Sequence, residues 1–145
     1  MRIPFEPQWF GGHAEHYFRR LRPGIEEMPW GTLNPEEYPP ELVKRAQLSW
    51  TEAAFNEWCT AVAFSELLKA LLEINAPVDL VAMCGDFMAD EMLHVELTCR
   101  LAMELGGGAD YRVDFEELGT PVAPGLTAQQ TANDHSGDSV CIHEP

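Results

Sequence analysis

At 145 residues the chain suits one ordinary domain with a modest core. Its 24 acids against 9 Lys plus Arg give a formal net charge of −15. That balance argues against nucleic acid and anionic membrane as partners and suits cations or basic proteins. No nucleotide-binding glycine loop and no solenoid-type repeat is present.

The opening stretch MRIPFEPQWF has no apolar run of secretory length, being interrupted by Pro4 and Pro7, so no leader is expected. Later apolar runs such as AVAF at 61–64 fall far short of the roughly 20 residues of a membrane span. Cys59, Cys84, Cys99 and Cys141 form no CxxC pair. The first three lie in helical patterns and read as small buried thiols of a reduced, cytoplasmic protein.

In chain order, residues 1–39 read as an irregular, aromatic-rich lead-in, with Trp9, Phe10, Tyr17, Phe18 and Trp30 as anchors and repeated Pro and Gly preventing long elements. Its HAEH (His13, Glu15, His16) reads as a solvated polar turn, and RRLR at 19–22 as surface. Residues 40–108 read as a long antiparallel helical hairpin, half of a four-helix bundle in an all-α fold. Pro40 suits a first helical turn, and Ser49 with Glu52 has the spacing of a capping box. A short helix therefore either precedes the long one or continues into it. Asn75-Ala76 closes the first arm, Pro77 opens the second, and Gly106-Gly107-Gly108 stops it. Residues 109–145 read as an extended or loose tail in which YRVDFEEL makes a short extended piece.

The helical seam contains the chemistry. Steps of four and three along the first arm give Ala54, Glu57, Ala61, Phe64, Leu68 and Leu71. Glu57 is the only charged member. The second arm gives Leu80, Cys84, Phe87, Glu91, His94, Thr98, Leu101 and Leu105, flanked by Met88, Met92, Val95 and Cys99. Asp86, Asp90 and Glu104 fall on the opposite side, expected to be solvated.

Glu57 lies 18 residues before Asn75; Glu91 and His94 lie 16 and 19 residues after it. At 1.5 Å per residue all three stand about 24–29 Å up the hairpin, at one level. Glu66, nine residues from the turn, stands about 13 Å up and off the stripe. Two carboxylates and an imidazole in an apolar interior need a partner. A divalent cation supplies one and lets the acids stay ionised side by side; the alternative is a structural Glu–His pair with Glu57 bonded across. Mixed nitrogen and oxygen ligation suits iron, manganese or zinc rather than magnesium or calcium.

Glu57 on one helix followed by Glu91-x-x-His94 on the next resembles the first half-site of the ferritin-like di-iron carboxylate proteins. The resemblance is to the bacterial ferritin-like domain proteins, through the Glu57-to-Phe64 spacing, the NAP turn at 75–77 and DEMLH at 90–94, over about residues 50–108. That family continues with a third helix whose ligand Glu follows a Cys-x-x motif, and a fourth carrying another Glu-x-x-His. CIHEP (Cys141–Pro145) resembles the start of the third helix, which would make Glu144 the next ligand. No second Glu-x-x-His occurs in the 145 residues. The resemblance therefore implies either a shortened copy or a site completed by another chain. Encapsulated ferritins, where hairpins from separate subunits build one di-metal centre, are the precedent.

What the resemblance implies is a carboxylate-bridged, di-iron-like protein assembled as a homodimer or higher oligomer, oxidising Fe(II) or an organic substrate with O₂. Whether it is an enzyme at all stays open. The alternative is a non-catalytic helical interaction module; an acidic adaptor for a basic partner rests on charge alone.

Overall fold

A computed structural model describes residues 1–118. The elements are β1 (Ile3–Pro4), α1 (Gly12–Leu21), α2 (Pro40–Glu73), α3 (Val78–Glu104) and β2 (Arg112–Val113), with 3₁₀ turns at Pro23–Ile25, Pro35–Glu37 and Phe115–Glu117. Helices α2 and α3, of 34 and 27 residues, pack against each other as the expected antiparallel hairpin.

Pro40 opens α2, where its missing N–H costs nothing. The Ser49–Glu52 capping box is not used: α2 runs through it. A cap acts only where the preceding chain leaves the helix, and the ten residues PELVKRAQLS are dominated by good helix formers. At the other end Asn75 takes a left-handed conformation, φ 53°. Asn75 N–H bonds to Leu72 O at 3.1 Å and Ala76 N–H to Leu71 O at 3.0 Å, the paired bonds of a Schellman stop. The same device ends α3, with Gly106 at φ 100°, its N–H on Met103 O and the Gly107 N–H on Ala102 O.

The lead-in is more regular than expected. Residues 12–21 form α1, because GHAEHYFRRL contains no proline and the helix breaker waits at Pro23. HAEH thus lies on a helix rather than in a turn. His13 and His16 are exposed, and Glu15 accepts from Arg19 Nε at 2.8 Å. Nor is the RRLR stretch merely surface. Arg19 and Arg22, with side chains 28% and 14% exposed, reach α3 at Glu96 and Asp90. Glu104, expected in solvent, accepts from the Gly31 N–H at 2.6 Å and the Leu33 N–H at 3.4 Å. The solvated face of α3 is therefore the track on which the lead-in runs.

YRVDFEEL is extended only at Arg112–Val113, which pairs antiparallel with Ile3–Pro4 in register Ile3 to Val113. This two-stranded clasp drops Phe5 and Val113 onto α2, where they form the core with Ala54, Phe55 and Cys59. Phe5 meets Phe55 edge-on at 5.3 Å between ring centres and Trp58 at 5.9 Å. The core lies on one flank of the hairpin. Towards the turn Leu72, Ile74, Val78 and Met83 stay exposed. No helix among the described residues is long and apolar enough to cross a membrane.

Candidate metal centre

Glu57 comes from the middle of α2, and Glu91 and His94 from the middle of α3, one helical turn apart. The hairpin brings them together. His94 Nδ1 lies 3.1 Å from Glu91 Oε2 and 3.5 Å from Glu57 Oε2. One ligand atom from each residue falls within 4.8 Å of the others. Bonds of about 2.1 Å to one ion put ligand atoms at most about 4.2 Å apart, so a shared cation would need the three side chains to draw closer together. Glu66, as expected, is not in the cluster.

The expected buried interior is corrected in one respect. His94 is 47% exposed, Glu57 32% and Glu91 14%. The lead-in covers the other flank of the hairpin, so this flank keeps access to solvent. The groove beside the cluster, about 410 Å³, is walled by Phe64, Phe87, Leu93 and Asp90. Phe64 and Phe87 meet across the seam with ring centres 5.6 Å apart and planes inclined at 54°.

The electrostatics follow from crowding. Partial burial raises the Glu57 carboxyl above its ordinary value, and a hydrogen bond and repulsion from Glu91 push it the same way against the opposing pull of His94. Partial burial alone would lower the His94 imidazole. The hydrogen bond to Glu91 and the charges of Glu91 and Glu57 outweigh it, and the imidazole is raised. Glu57 and His94 thus hold their protons more tightly than they would in isolation. A cation is the other species that satisfies two carboxylates and a ring nitrogen at these distances.

No protein-family profile, curated protein or solved structure matches the chain. Cys141 and the proposed third-helix ligand Glu144 lie outside the described residues.

Sequence reasoning missed a second polar cluster. Glu96, 7% exposed, accepts from Arg19 Nη1 and Arg100 Nε, both at 2.9 Å. Glu26 engages the same two guanidiniums from the lead-in. Only the i,i+4 spacing of Glu96 and Arg100 was visible, and such pairs are ordinarily solvated. Arg19 comes from 77 residues away, and no local pattern announces it.

Proposed function

We propose that the hairpin binds a transition-metal ion through Glu57, Glu91 and His94, as half of a carboxylate-bridged centre of ferritin-like type. The observation that carries this reading is the convergence of the three ligand atoms, from two helices, within 4.8 Å. Nδ1 of His94 is the ring nitrogen that faces both carboxylates. It pairs with Glu91 Oε2 at 3.1 Å, and a bound cation would be held by that nitrogen and the carboxylates of Glu57 and Glu91. The ligand types favour iron, with manganese or zinc as substitutes. Iron held there supplies redox chemistry towards dioxygen, acting on Fe(II) or on an organic substrate entering beside Phe64 and Phe87. Three protein ligands leave positions on the ion open, and a second copy of the chain, docked on the flank exposing Leu80, Met83 and Phe87, completes both the bundle and the site.

Metal content tests the proposal. Chelator-stripped protein titrated with Mn(II) or anaerobic Fe(II) should take up about one ion per chain, and light scattering at micromolar concentration should give a mass above the monomer. A metal-free monomer would instead favour the second reading, a non-catalytic interaction module. That reading draws on the exposed Leu72, Ile74 and Val78 at the turn end of the hairpin.

A further inference from the structure

Asp90 belongs to two parts of the molecule at once. It walls the groove beside Glu91 and His94. Its Oδ1 also accepts from Arg22 Nη2 at 2.9 Å, across the join with the lead-in. The two partners are held differently. The Arg22 side chain is 14% exposed, its guanidinium lies over the Phe18 ring at 5.6 Å, and its Nε is buried without a hydrogen-bond partner among the described residues. The Asp90 side chain is 55% exposed. Arg22 is the anchored partner, and the carboxylate is the one free to turn.

Helix geometry gives that carboxylate a second direction. Asp90 stands four residues before His94, so the two share a face of α3, about 40° apart around its axis. Glu91, three residues before His94, lies about 60° to the other side. His94 is therefore flanked by two acids, of which Glu91 meets Nδ1 and Asp90 meets Arg22. Asp90 is not in the cluster of Glu57, Glu91 and His94, and the Arg22 bridge accounts for its absence. Three protein ligands leave a position open on a transition-metal ion, and a carboxylate oxygen suits that position.

We propose that Asp90 is a reserve ligand of the metal centre, withheld by Arg22. While the bridge is made, the ion is held by Glu57, Glu91 and His94. When the lead-in loosens at Arg22, the Asp90 carboxylate turns into the groove and joins them. The lead-in thereby sets the affinity of a centre whose ligands all come from the hairpin. This inference rests on the metal reading above and adds a separate claim about one ion pair.

Titration of the chelator-stripped full chain with Mn(II), followed by the resonance of the free ion, tests it. Arg22→Met keeps an apolar stem against Phe18 and removes the charge. It should bind Mn(II) at least threefold tighter than wild type. The double variant Arg22→Met with Asp90→Asn restores the wild-type net charge at this spot, and should bind like wild type. Co(II) reports ligation directly: its visible absorption in Arg22→Met should differ from wild type, and the double variant should return it. Unchanged or weaker Mn(II) binding in a folded Arg22→Met protein, a gain that survives in the double variant, or identical Co(II) spectra would each overturn the proposal. Mn(II) uptake by wild type that is lost in Glu57→Ala, with no gain in Arg22→Met, sinks this inference alone. No uptake by either wild type or Arg22→Met sinks the metal reading together with it. Should Arg22→Met fail to fold, Arg22→Gln, which keeps a neutral donor there, is held to the same outcomes.

Discussion

His94 and Glu57 stand on different helices, yet Nδ1 of one lies 3.5 Å from Oε2 of the other. Neither residue is useful to a metal without the other, since Glu91 and His94 alone are an ordinary i,i+3 pair on one helix. Replacing Glu57, Glu91 or His94 by Ala should each weaken Mn(II) binding by at least about 100-fold, whereas Glu66→Ala should leave it unchanged. Equilibrium dialysis with metal analysis checks this. Wild-type affinity in Glu57→Ala would remove the cross-helix site.

The metal-free protein should lose stability as pH rises across neutrality. Glu57 and His94 both have folded-state values raised above their ordinary 4.5 and 6.5. For a raised group the stabilisation is complete below the unfolded value and is lost as pH climbs through the folded one. The His94 contribution therefore fades upward from about pH 6.5. The melting temperature should fall over that window, and His94→Gln should flatten the fall. A melting temperature independent of pH there in both proteins would contradict the raised imidazole.

Mn(II) should reverse the sign. Protons and cation compete for the same three groups, so the gain in melting temperature at fixed Mn(II) should grow from about pH 5.5 to about pH 7.5. Scanning calorimetry at several pH values reads it directly. An equal gain at every pH would place the ion elsewhere.

Stability should be divided unequally between the two flanks. Phe55, 1% exposed, is gripped by Phe5 and Tyr111, and Phe55→Ala should cost about 3–5 kcal/mol. Phe87 is 42% exposed, and Phe87→Ala in the monomeric state should cost below about 1 kcal/mol. Urea unfolding of the two variants at low protein concentration compares them.

Glu96 and Glu26 share the same arginines but differ in burial. Removing Glu96 leaves two partly buried guanidiniums with fewer partners and should cost about 2 kcal/mol. Glu26 is 52% exposed, and Glu26→Ala should cost clearly less than the loss of Glu96. Chemical denaturation of both variants reads the difference, and similar losses would show that the two carboxylates contribute alike.

The hairpin and its cluster were legible because each depends on local rules. Helical periodicity placed Glu57, Glu91 and His94 on one seam, and the Asn75 stop set their common height. The lead-in was less legible because its order comes from distant pairings. Arg19 meets Glu96, Gly31 meets Glu104, and Ile3 pairs with Val113. None of these leaves a periodic trace in the sequence. The exposure of the Glu57, Glu91 and His94 flank was also hidden: an apolar stripe marks a face that can be covered, and only the path of residues 1–39 shows which face the lead-in covers.

The Asn75 turn is the zero mark of a ruler with two arms, along which Glu57, Glu91 and His94 are read off by residue count. One alanine inserted between residues 58 and 74 would leave all three side chains intact. It would nevertheless swing Glu57 by about 100° around the α2 axis and lift it about 1.5 Å, out of the cluster. Removing seven residues from each arm would instead carry all three side chains down together, nearly unrotated, and keep them facing one another. The spacing to the turn is therefore as much a part of the site as the side chains themselves.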